Sequence, residues 1–119
     1  MAWKEIGNRQ DAIKFWQAGA VGLFDRKNSI CPLCEKQSVR FYAHHFSSDS
    51  SAIWSWCQHC KLWTVASNMK LWGEFDDPFS NAEISQYECL QQPSWIDRLD
   101  ELWEAGTLPQ YGRRIHKPV

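Results

Sequence analysis

Cys31-Pro32-Leu33-Cys34, then 22 residues, then Cys57-Gln58-His59-Cys60: the rest of the 119-residue chain is arranged around this stretch. Each C-x-x-C pair makes a tight turn that aims two sulfurs at one point. The residues between them can form a hairpin that brings the two turns together. Two such pairs at this separation carry the ligand pattern of a tetrahedral zinc site. Four thiolates close the coordination shell. The expectation is therefore one structural Zn2+ per chain on Cys31, Cys34, Cys57 and Cys60, with no open position for water or substrate. An iron site, or two disulfides after oxidation, are the other uses of these cysteines.

Beyond Cys34 the apolar period becomes two. In Val39–His45 one face takes Val39, Phe41, Ala43 and His45, and the other takes Arg40, Tyr42 and His44. The Ser/Asp-rich residues 47–51 have turn composition, and Ala52-Ile53-Trp54-Ser55-Trp56 reads as the return strand. Leu62–Ala66 reads as a third strand. Two knuckles joined by a hairpin, with a strand leaving the second, resemble the zinc-ribbon fold group over residues 28–67. That resemblance implies a fold and a structural metal but no particular activity. A treble clef would start a helix at the second knuckle, and the strand formers Trp63, Thr64 and Val65 argue against it.

On the N-terminal side a helix is expected over about residues 9–18, capped by Asn8, with Asp11 in its first turn. Ala12, Ile13, Phe15, Trp16 and Gly19 lie on its apolar side. Gly19 and Gly22 are expected to end it, leaving Val21, Leu23 and Phe24 as a buried connection. On the C-terminal side Ser80 and Glu83 have capping-box spacing, and Phe79 and Ile84 that of a hydrophobic staple. The helix they open would turn Glu83, Ile84, Tyr87 and Leu90 inward, hold Cys89 as an inert small residue, and stop at Pro93. Ser94 would cap a last helix with Asp97 at its third position. There Trp95, Ile96, Leu99, Leu102 and Trp103 form one stripe, Gly106 is the C′ residue and Pro109 the stop. The stripe is expected on the sheet face that carries Val39 and Phe41.

The fold expected is thus α+β: a three-stranded antiparallel zinc ribbon packed with an N-terminal helix and two C-terminal helices. It would be a single domain over 1–119, with an acidic helical pair at 79–106 and a basic tail at 107–119. The length can bury a core without help from metal. Some of the eight Trp must be core, and eight leave room for a few at a contact surface.

Net charge is −1 but unevenly spread: +4 over residues 1–73, −8 over 74–104 and +3 over 105–119. There is no leader-like apolar segment at the N-terminus and no run long enough to span a membrane, so a reducing, cytoplasmic setting is expected. Phosphate loop, nucleophile elbow, H-E-x-x-H and deaminase motifs are all absent, and the expectation is a non-enzymatic protein. His59 sits between two ligands, where it is expected to point outward or to donate to a carbonyl. His44 and His45 fall on opposite strand faces and cannot act as a pair, and His45 is expected as a satisfied core residue.

Two readings of function follow. The first is a protein-binding module whose acidic segment meets a basic partner. The contact residues expected are Asp97, Asp100, Glu101, Glu104, Asp76 and Asp77, with Trp54 and Trp63 as aromatic anchors. The Trp95–Trp103 stretch followed by Leu108-Pro109 resembles small bacterial toxin-immunity proteins. The resemblance implies an inhibitor of a toxin or nucleic-acid-acting enzyme. The second is a nucleic-acid-binding ribbon in which Trp54, Trp56 and Trp63 stack on bases and Arg40 and Lys61 meet phosphates. The acidic field of residues 74–104 opposes that second reading.

Overall fold

The computed structural model of the chain describes residues 3–25, 29–47, 49–70, 73–86, 93–108, 110 and 112–114. The elements run β1 (Lys4–Glu5), α1 (Arg9–Asp25), β2 (Val39–His45), β3 (Ser51–Cys57), β4 (Leu62–Met69), β5 (Gly73–Phe75), α2 (Asn81–Ile84), α3 (Pro93–Glu104) and β6 (Gly112–Arg114). The fold is α+β. The expected antiparallel strands are present as β2-β3-β4, but the sheet has four strands in the order β1-β4-β3-β2. The short β1 joins in parallel: the Lys4 and Ile6 amides donate to the Lys61 and Trp63 carbonyls at 3.0 and 2.9 Å. The sheet is therefore mixed, and the three-stranded antiparallel expectation is corrected. A two-residue strand carries no periodicity by which a sequence reading could find it. β5 and β6 form a separate antiparallel pair, so part of the expected basic tail is held as a strand. Among the described residues no helix is long and apolar enough to cross a membrane.

The central strand β3 is buried along its whole length, because both faces of the sheet are covered. One face takes Val39, Phe41, Ala43, Ile53 and Cys57 against Phe15 and Leu23 of α1. The other takes Tyr42, Ala52, Trp54, Trp56 and Trp63 against Trp95, Ile96 and Leu99 of α3. Trp95, Leu99 and Leu102 thus lie on the face opposite to the one expected, while Trp103 also meets the edge of Phe41. The Tyr42 face reads as polar in β2, but Trp54 and Trp56 of β3 extend the same face. Their large rings give α3 its packing surface, each contributing gross burial of about 4–6 kcal/mol.

Helix α1 is longer than the expected 9–18. Asn8 caps it as anticipated, its Oδ1 accepting from the Gln10 and Asp11 amides at 2.9 and 3.2 Å. Gly19 and Gly22 do not end it. A Cβ at Gly19 would collide with Ser55 and Phe41, and one at Gly22 with Ser29 and the Phe41 ring. Both glycines let the helix lie close on the sheet, an advantage that outweighs their roughly 1 kcal/mol propensity cost each. Val21, Leu23 and Phe24 are accordingly helical rather than a connection.

At the C-terminal end the capping box of Ser80 and Glu83 forms in both directions, and Phe79 and Ile84 are both core residues. The helix it opens, α2, is one turn long within the described residues; Tyr87, Cys89 and Leu90 lie outside them. Pro93 opens α3, so Ser94 sits inside its first turn and does not cap it. Proline's fixed φ suits the first helical position, which explains why a stop signal serves here as a start. Gly106, at φ +84°, ends α3 as expected, with the Thr107 amide donating to the Leu102 carbonyl at 3.0 Å. Pro109 lies outside the described residues.

Candidate metal centre

The first knuckle follows α1 and leads into β2; the second is the turn between β3 and β4. Cys57 is the last residue of β3 and pairs in register with Val39, the first of β2. That register carries one knuckle to the other. The four Sγ atoms lie within 4.8 Å of one another. The closest approaches cross between knuckles, Cys34–Cys57 at 3.8 Å and Cys31–Cys60 at 3.9 Å. A tetrahedron of sulfurs about 2.3 Å from a central zinc has edges of about 3.8 Å, so these two cross-knuckle pairs stand at that spacing, and the four sulfurs together could hold a metal ion. A disulfide would need about 2 Å, and all four cysteines are free.

The two knuckles are built alike. The Glu35 amide donates to the Cys31 carbonyl and the Lys61 amide to the Cys57 carbonyl, both at 2.9 Å. Glu35 and Lys61, each directly after the second cysteine, take left-handed φ of 62° and 59°. This backbone turns amides toward the sulfurs. Leu33 and Cys34 donate to Cys31 Sγ at 3.4 Å each, and Cys60 donates to Cys57 Sγ at 3.2 Å. Such amides stabilise thiolate charge. Cys31 and Cys57 are buried under Phe15 and Val39, while Cys34 and Cys60 are half-buried.

Burial pushes the Cys31 and Cys60 thiols up, and neighbouring sulfurs raise both further. Burial also acts upward on Cys34, but the Lys36 amide, the Ser38 hydroxyl and two neighbouring cysteines outweigh it and bring this thiol down to about 6. Without a cation the cluster therefore retains protons. A metal ion would displace them, and its affinity would fall as pH falls. His59 is exposed, as expected for an outward-pointing residue, and its Nε2 accepts from Lys36 Nζ at 2.9 Å.

A second polar cluster, not foreseen from the sequence, ties residues 77–81 to β2. Tyr42 donates to Asp77 Oδ1 at 2.6 Å, and the buried His44 ring meets Asp77 Oδ2 at 2.5 Å and Asn81 Oδ1 at 2.6 Å. Both ring nitrogens are engaged and the ring is buried, so the cluster is a strap and has no nitrogen to offer a substrate. His45, on the other face, is satisfied by Ser51 and the Gly73 carbonyl and stacks on Phe75.

The expected partner contacts divide. Trp54 and Trp63 are only 2% and 1% exposed and belong to the core under α3, so neither ring is presented at the surface. Trp56 is buried too, and with it the set of rings that base stacking would need. Asp77 holds Tyr42 and His44. Asp100 Oδ1 accepts from Arg40 Nη1 at 2.8 Å and from the Trp56 indole at 2.9 Å. Asp97 is exposed yet accepts from the Trp3 indole at 2.5 Å. Glu101 and Glu104 are mostly exposed, Glu101 pairing loosely with Arg98 at 3.9 Å and Glu104 closely with Arg40 at 2.7 Å. Asp76 is exposed. Half of the acidic set thus fastens α3 and the 75–81 segment to the sheet. The sequence signal that was available is the row Arg40, Tyr42, His44, polar groups two residues apart that a buried face would have to pair.

A scan against protein-family models found no match, and searches of curated proteins and of solved structures found no significant similarity. Function is therefore argued from the site alone.

Proposed function

We propose that Cys31, Cys34, Cys57 and Cys60 bind one zinc ion as a structural staple of a zinc-ribbon-like core. On this reading the chain is a non-enzymatic module that binds a protein partner with a basic surface. The observation that carries the metal reading is the crossing of the two knuckles at tetrahedral sulfur spacing. Four thiolates fill the shell, so the metal's work is to fix the α1–β2 and β3–β4 junctions. Such a shell contributes on the order of 10 kcal/mol or more of apparent free energy to the folded state.

The partner reading rests on the expected contact residues that remain exposed, Asp76, Asp97, Glu101 and Glu104. A toxin or nucleic-acid-acting enzyme with a positive substrate cleft fits that surface, and inhibition of it would be by occlusion. Elemental analysis should find close to one zinc per chain, and Cys34→Ser or Cys57→Ser should lose it. Reversing Asp76 and Glu101 to Lys leaves the internal pairs in place and should abolish capture of the partner from the source cell. Capture unchanged by that reversal would reject the acidic surface as the contact.

A further inference from the structure

We infer that Ser38 is a positioning residue of the metal centre, a hydroxyl that locks the two knuckles onto the ion. The inference rests on the proposal that the four cysteines hold a metal. Ser38 Oγ lies 3.0 Å from Cys57 Sγ and 3.6 Å from Cys34 Sγ, so one oxygen reaches a sulfur of each knuckle. Its backbone is fixed from both sides. The Ser38 carbonyl accepts from the Gln58 amide of the second knuckle at 3.0 Å, and its own amide donates to the Lys36 carbonyl of the first at 2.8 Å. The side chain therefore does not reach the sulfurs by chance rotation, because the main chain on either side delivers it there.

The hydroxyl has one proton and three acceptors in range, the third being the Lys36 carbonyl at 3.3 Å. Metal-bound cysteines are thiolates and can only accept, so beside the ion the hydroxyl would give its proton to Cys57 Sγ, the nearer sulfur, in a charge-assisted bond. Ser38 therefore favours the metal-bound form specifically, as groups hydrogen-bonded to metal ligands do elsewhere at a typical 10–100-fold in affinity. It also completes the set of donors on Cys57 Sγ, which already accepts from the Cys60 amide.

The test uses the full chain. Zinc affinity is measured by chelator competition for the wild type, Ser38→Ala and Ser38→Thr. The sulfur-to-metal charge-transfer band is then read after cobalt(II) substitution. Ser38→Ala should bind zinc about 10–100-fold more weakly and shift the cobalt band to lower energy, since a sulfur lone pair without its donor is less stabilised. Ser38→Thr, which keeps the hydroxyl, should restore both. Ser38→Ala should cost more stability, in unfolding midpoint, in the metal-loaded protein than in the chelated one. An unmoved cobalt band with affinity within twofold of wild type would overturn the role. So would a stability loss in Ser38→Ala that is equal with and without metal, because that describes a packing defect. A wild type that binds neither zinc nor cobalt would instead bring down the metal reading itself, and this role with it.

Discussion

Replacing Asp100 by Ala should show that the carboxylates of α3 are first of all structural. Asp100 sits one turn from the end of α3 and meets two donors of the sheet, the Arg40 guanidinium and the indole of the fully buried Trp56. Loss of a hydrogen bond to a charged group removes about 1.5–3 kcal/mol, and a buried indole N–H left without an acceptor costs about 1–3 kcal/mol. Two features reduce the sum. Both side chains of the ion pair retain some contact with water, 18% for Arg40 and 19% for Asp100, and Glu104 still reaches Arg40 at 2.7 Å. The net expectation is a loss of about 2–3 kcal/mol. Glu104→Ala should lose no more than about 0.5 kcal/mol, because that carboxylate is 64% exposed and its pair is screened. Asp100→Asn keeps an acceptor for the indole and should fall between the two. Equilibrium urea unfolding of the full chain measures this, with an unchanged slope so that midpoints compare directly. A loss below about 1 kcal/mol for Asp100→Ala, or an equal loss for Glu104→Ala, would refute the ranking. It would return Asp100 to the set of surface charges available to a partner.

Three further outcomes follow from other parts of the fold. Gly22→Ala improves helix propensity but places a methyl against Ser29 and the Phe41 ring; it should destabilise the protein by about 1–3 kcal/mol, visible as a lower melting temperature. Glu35 holds a left-handed φ at no benefit from its side chain among the contacts described, so Glu35→Gly should stabilise the protein by up to about 1 kcal/mol in the same urea titration. Burial, then the Asp77 acceptor and the charges of Asp77 and Glu83, raise the Tyr42 phenol far above its ordinary value near 10. Below that value both folded and unfolded chains keep the proton. Above it only the unfolded chain releases it, so this residue makes stability fall by up to about 1.4 kcal/mol per pH unit. Tyr42→Phe should be less stable than wild type at pH 7, and the gap should narrow as pH rises above about 10; a constant gap in unfolding free energy would contradict the assignment.

Local chemistry made much of the architecture legible. The cysteine spacing named four residues that the fold does gather within 4.8 Å, because a C-x-x-C turn shapes itself and needs only a hairpin to find its partner. Asn8, the Ser80–Glu83 box and Gly106 act where the sequence placed them, since capping is settled within four residues. Alternation in Val39–His45 assigned the right residues to the two faces. It could not say which helix covers which face, since both faces of β3 are apolar enough to accept either one.

Tertiary structure decided the rest. Gly19 and Gly22 read as helix ends on their own and become close-packing positions only when a sheet lies beneath them. The parallel strand Lys4–Glu5 exists because β4 offers it an edge. The acidic residues of 74–104 read as one charged surface by composition. In the folded chain Asp77 and Asp100 turn inward to buried donors, while Glu101 and Glu104 stay at the surface. Ser38 carries no motif at all, and its place between two sulfurs exists only once both knuckles are closed. The sequence by itself determined which atoms can bind a metal and where helices are capped, because those preferences are short-range. Which carboxylates fasten the core and which face a partner depends on the donors brought to them across 44–60 residues of chain, and only the packed structure supplies those.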